Sequence, residues 1–163
     1  MGELAGDVVR DRPPRLIAEA AREAFGAILA DASDLVVGAP DAVRSPGGEL
    51  DYWLVPGLRG DAVVAVARIL PDARLATVGE LREPAVDTAQ AVTGLSGEQA
   101  RQVAADLRDR YPAVSEPVLV HDGPVGREAW LCAVTAADGS ERWVFATGGG
   151  TYDREANTPL GGP

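Results

Sequence analysis

Past Pro13-Pro14, apolar residues recur at helical spacing: Leu16, Ile17, Ala20, Ala21, Ala24, Ile28 and Leu29. That period predicts a helix over about 14–31, opened by proline, which suits a first helical turn, and closed by the Asp31–Asp34 cluster. Gly26 lies inside it and reads as a point of close packing. Leu35-Val36-Val37 reads as a short strand ahead of Pro40, and Ser45-Pro46-Gly47-Gly48 as a turn. Strands follow over roughly 50–55, 61–70 and 74–79. The run Ala62–Ala67 is apolar on both faces, as expected of a central strand, and Pro71-Asp72 turns it into the next one.

A short helix is predicted from Pro84 to about Thr93, broken at Gly94. Ser96, with Gln99 three residues on, has the form of a capping box for a longer helix. Ala100, Val103, Ala104, Leu107 and Tyr111 make its apolar stripe, and Pro112 stops it. Strands are then expected over about 117–121, 128–135 and 141–147, joined by Asp122-Gly123-Pro124 and Asp138-Gly139. Alternation puts Trp130, Cys132 and Val134 on one face with Trp143 and Phe145, packed against Leu107 and Val103. Arg127 and Arg142 fall on the opposite faces. From Gly148 onward the chain reads as a Gly/Pro-rich tail.

These elements make an α+β protein of two helix-plus-antiparallel-meander repeats, with helices packed on curved sheet. The expected organisation is a leader over 1–11, a first repeat over 12–83, a second over 84–150 and a flexible tail over 151–163. The repeat is carried by Tyr52-Trp53-Leu54-Val55 and Ala129-Trp130-Leu131-Cys132, each opening a strand after a helix–strand entry. From Ser96 to about Asp153 the chain resembles the PepSY-type domain, which is similar in architecture to cystatin-like folds. The resemblance rests on Ser96-Gly97-Glu98-Gln99-Ala100, Trp130, Asp138-Gly139 and Trp143-Val144-Phe145. It implies one helix across a curved antiparallel sheet and brings no catalytic residues. The family is usually secreted or membrane-attached and carries a protease-inhibitory role; this chain departs from it in lacking an export signal.

Composition narrows the function. The 163 residues are 46% hydrophobic and only 5% aromatic, so the core must be mainly aliphatic with Trp53, Trp130 and Trp143 as bulky anchors. The formal net charge is −10 and every basic side chain is arginine. Such a surface repels nucleic acid and anionic lipid heads, and the missing lysine excludes Schiff-base chemistry and a Walker-type phosphate site. A lone Cys132 excludes an internal disulfide and a cysteine-based zinc site. With no run approaching ~18 apolar residues and no signal-like start, the expected location is the cytoplasm.

The candidate chemistry is sparse. His121-Asp122 runs into a Gly-Pro turn and reads as a turn residue rather than a general base. Cys132 reads as a core residue rather than a nucleophile. Gly148-Gly149-Gly150-Thr151 leads into no helix and lacks the lysine of a phosphate loop. The acids on the helices, Glu19, Glu23, Asp106 and Asp109, read as solvated faces. Arg59, Arg68, Arg74, Arg127 and Arg142, by contrast, all lie in or beside strands. A sheet face carrying them would suit an acidic peptide or carboxylate, so Arg59, Arg68, Arg127 and Arg142 are the candidate ligand-binding residues. The function expected is non-catalytic recognition of a peptide or protein partner, without cofactor or metal, as an accessory protein of a biosynthetic pathway or an antitoxin-like inhibitor. A homodimer is compatible with it. The alternative is a small-molecule enzyme or ligand-binding protein using a cavity beneath the curved sheet.

Overall fold

The computed structural model describes residues 15–123 and 125–157. Pro13-Pro14, the expected leader and residues 158–163 lie outside that range. Helix α1 (Arg15–Ile28) is followed by strands β1 (Val36–Val37), β2 (Asp41–Arg44), β3 (Leu50–Arg59), β4 (Ala62–Ile69) and β5 (Leu75–Ala85). Helices α2 (Thr88–Thr93) and α3 (Gly97–Leu107) come next, then β6 (Ala113–Val114), β7 (Val118–His121), β8 (Glu128–Thr135), β9 (Glu141–Thr147) and β10 (Gly150–Glu155). The strands form a single open sheet in the order β10-β9-β8-β7-β2-β3-β4-β5, with β1 paired to β3 and β6 to β8. All ladders are antiparallel except the one at the middle, where β2 and β7 run parallel and meet at Arg44 and Val120.

The helices divide between the two faces of this sheet. On β3 and β4, Trp53, Val55, Ala65, Ala67 and Ile69 pack with Ile17, Ala21 and Phe25 of α1 and with Leu29 just after it. The alternate residues Tyr52, Leu54 and Val66 turn to the other face and meet Ala91 and Val92 of α2, with Leu119 and Trp130. Cys132, Val134 and Val144 continue that second face and pack under Ala104 and Leu107 of α3. On the first face, the second half of the sheet carries no helix among the described residues. There Val120, Ala129, Leu131 and Phe145 cluster with Trp143.

Several sequence expectations are corrected. Gly26 marks no close packing, since a Cβ there would meet nothing within 4 Å. β3 runs through Pro56, because its carbonyl faces Gly38, in the gap between β1 and β2, and the missing N–H breaks no ladder bond. β5 continues through Pro84 to Ala85, so α2 starts later than expected, at the Asp87 cap. An edge strand tolerates this proline because one side of it has no partner to lose. Gly150–Glu155, expected as tail, forms β10 along β9. Trp143 and Phe145 lie opposite to Cys132: the loop between β8 and β9 sets Cys132 against Val144 and Ala133 against Trp143. Arg142 therefore shares the Trp130 face, and both Trp130 and Trp143 are half-buried, in clusters apart from Leu107. The Ser96–Gln99 capping box is present in full, both reciprocal bonds made.

Candidate functional site

The β7–β8 hairpin brings polar side chains together at the seam of the sheet. Its first strand ends on His121 and its second starts on Glu128, which are opposed in the ladder. Glu128 is buried, and its carboxylate accepts the Arg68 guanidinium in a two-pronged contact: Nε to Oε1 at 2.6 Å and Nη2 to Oε2 at 3.1 Å. The Tyr52 hydroxyl also donates to Oε1, at 2.9 Å. β3, β4 and β8 are thereby tied by one carboxylate whose side chain is wholly out of solvent. Burial, the Glu128 charge and the bond to it all push the Tyr52 phenol well above its ordinary pKa. Burial works against the Arg68 charge, but the Glu128 partner outweighs it and holds Arg68 more firmly protonated.

His121 is not a turn residue. It ends β7, is half-buried, and its Nε2 donates to the Asp51 carboxylate while its Nδ1 accepts from the Gly123 amide at 3.3 Å. An accepting Nδ1 places the ring proton on Nε2. Asp51 reaches it through a bulge: Tyr52 pairs with Val43 and Leu50 with Arg44, leaving Asp51 without an opposed residue and free to be re-aimed.

A second ionic centre lies on the other side of the hairpin. Asp122, buried like Glu128, accepts from the Tyr152 hydroxyl on Oδ2 and from Arg127 Nη2 at 3.3 Å. Arg154 Nη2 stands 2.7 Å from Oδ1 at ion-pair distance, yet no donor is aligned to make a hydrogen bond with that oxygen. Tyr152 stacks on Phe145 with centroids 5.2 Å apart, and the Arg154 guanidinium lies 5.3 Å over the same ring. Burial, followed by the bond to Asp122, raises the Tyr152 phenol to about 12. A cavity of about 280 Å³ opens here, lined by Asp122, Arg127, Glu128, Thr147 and Tyr152.

Of the four candidate arginines, the structure brings Arg68 and Arg127 to this hairpin. Arg59 sits at the far end of β3 with Asp34 and the Asp31 carbonyl, and Arg142 holds Asp153 across β9 and β10. Each of the four already has a carboxylate partner within the chain. They do not form a common open face.

The glycine run after β9 has a packing role. Gly148 donates its amide to the Thr93 carbonyl at 2.9 Å, and a Cβ on it would stand 3.1 Å from the Gly94 backbone. Gly94 itself has φ +82 and ends α2, so two glycines let β9 and the α2–α3 turn touch. Cys132 is buried beneath α3, and burial raises its thiol to about 11. A further cavity of about 330 Å³ lies under the α2–α3 turn, with Asp41, Asp87, Leu119 and Trp130 in its wall. Asp87 caps both helices, accepting from Gln90 N at 2.7 Å and Gly97 N at 2.9 Å. Asp41 is exposed as a residue, but its carboxyl is set among the wall atoms, and that desolvation raises its pKa. No helix among the described residues is long and apolar enough to cross a membrane.

Set beside known proteins, the chain matches no family model, no curated sequence and no solved structure.

Proposed function

We propose that the protein is a non-catalytic binding protein that takes an extended segment of a partner protein as an added strand on β5. The observation that carries this reading is the uneven guarding of the sheet's edges. Among the described residues β5 pairs only with β4, and along Leu75–Gly79 it carries neither charge nor proline, with a single bulge at Ala76. Beyond Glu80 the same strand leaves the ladder until Ala85 and presents Arg82, Glu83 and Pro84. The opposite edge, β10, carries Asp153, Arg154 and Glu155. Charges, proline and bulges are how sheets discourage edge pairing, and with one bulge and neither charge nor proline Leu75–Gly79 is the least guarded stretch. The arginines contribute less to this reading than the sequence suggested, since at Arg59, Arg68 and Arg142 a partner's carboxylate would have to displace one already in place.

The duplication belongs to the same proposal. A helical entry, a short strand paired to the third, and a meander in sequence order occur in both halves, β1–β5 and β6–β10. A tandem PepSY-like ancestry accounts for that order, with the cystatin-like comparison extending to how an edge is offered.

The test is a pair of edge charges. Ala76→Lys with Gly79→Glu should abolish capture of a partner that the wild type retains, with an unchanged melting temperature; a Cβ at Gly79 meets nothing within 4 Å. Arg142→Gln should keep the partner. Undiminished binding by the edge variant sinks the reading.

A further inference from the structure

The cavity beside Asp122 has the makings of a ligand site in its own right, independent of the β5 edge. Three guanidinium groups, from Arg68, Arg127 and Arg154, face two buried carboxylates, Glu128 and Asp122. The centre thus carries one net positive charge inside a chain of formal charge −10. Glu128 is already well satisfied, because Arg68 and Tyr52 engage both its oxygens. Asp122 is different: it lines the cavity, and its buried Oδ1 has Arg154 Nη2 at 2.7 Å as an ion-pair partner but no aligned hydrogen-bond donor. Arg127 is different too. Its side chain is 63% exposed, and its one contact among the described residues is the 3.3 Å approach of Nη2 to Asp122, so the rest of its planar fork is open. Thr147 Oγ1 accepts from the Gly149 amide at 3.2 Å, which leaves its own O–H to donate.

An acceptor that lacks an aligned hydrogen bond therefore stands beside two donor groups with N–H and O–H capacity to spare. We propose that this cavity binds a small carboxylate bearing an N–H or O–H donor on the carbon next to the carboxyl group. The carboxylate lies on Arg127 and the Thr147 hydroxyl, and the neighbouring donor goes to Asp122 Oδ1. A phosphate dianion is disfavoured by the buried Asp122 charge, and a bare cation by the surrounding arginines. The same chemistry occurs in free hydroxy and amino acids and at the C-terminus of a peptide, where the donor is the last amide.

Calorimetry on the intact chain separates these cases with glycolate, glycine, acetate and methylamine, and with N-acetyl-glycylglycine as free acid and as amide. Glycolate or glycine, or the peptide acid, should bind, with acetate roughly tenfold weaker and methylamine and the peptide amide silent. Preference for the free acids assigns a metabolite, and preference for the peptide acid assigns a chain end. Arg127→Gln, an exposed change that leaves the fold intact, and Asp122→Asn should each weaken binding roughly tenfold or more. Ala76→Lys/Gly79→Glu should leave it unaltered. Failure of every carboxylate to bind at about 10 mM overturns the proposal, as does binding that survives both site variants.

Discussion

Two buried carboxylates flank one hairpin, and they are built for opposite ends. Glu128 faces the first half of the sheet and has both oxygens engaged, by three hydrogen bonds from Arg68 and Tyr52. Asp122 faces β10 and is held by groups that still reach solvent, with Arg127 and Arg154 63% and 30% exposed. A saturated ion pair deep in the sheet fixes geometry, because nothing can join it without breaking it. A part-saturated one, next to open space, keeps capacity for a newcomer. The difference lies in satisfaction, not in burial, which is nearly the same for both.

Breaking the saturated centre should have the largest effect. Glu128→Gln strands the Arg68 charge and should destabilise by about 3–5 kcal/mol in denaturant melts. Replacing the group together, Glu128→Leu with Arg68→Met and Tyr52→Phe, should recover most of that loss; an equally large loss would show that packing rather than charge pairing dominates there. Asp122→Asn should cost less, about 1.5–3 kcal/mol, because its arginines can turn to water.

Alkali sharpens the contrast next. A tyrosine whose folded pKa is raised keeps its proton in the fold while the unfolded chain loses it. Its contribution to stability is then full below about 10 and is lost as pH rises through the folded value. For Tyr152 that window runs from about 10 to about 12, and Tyr152→Phe should flatten the stability curve across it. Tyr52→Phe should flatten the curve further up, since Tyr52 is held higher. Both are best measured on Cys132→Ala, because the buried thiol titrates up to about 11 and adds a slope of the same sign. Identical curves for the two tyrosine variants would erase the distinction drawn between the centres.

The smallest effects belong to the exposed arginine. Arg127→Gln should change stability by about 0–1 kcal/mol, as screened pairs do. A loss comparable to that of Glu128→Gln would make Arg127 a structural strut.

What the sequence disclosed was local. Ser96 and Gln99 are near neighbours, and the capping box they form was readable at once. The α1 stripe and the Pro71-Asp72 hairpin were legible for the same reason. β10 was not: Thr151, Asp153 and Glu155 lie along an exposed edge and show no apolar alternation. The opposed faces of Trp130 and Trp143 depended on a loop's register, which alternation within each strand does not contain. The site was the least visible part. Arg68 was named for its place in a strand, but its partner Glu128 is 60 residues away, and His121 meets Asp51 over 70. Asp51 arrives there only because a bulge turns it, and no residue in its neighbourhood announces one.

The single parallel meeting of Arg44 with Val120 bears on the order in which the chain is made. Every ladder among β1–β5 is complete within the first half, and every ladder among β6–β10 within the second. As the chain emerges from the ribosome, the first half can close on α1 with Arg68 uncapped and the β2 border bare. Only when β7 is synthesised does that border acquire its cover, and only with Glu128 does Arg68 acquire its partner. The interval between the two is the nascent chain's period of exposure to wrong neighbours, and it is as long as translation takes to reach the hairpin.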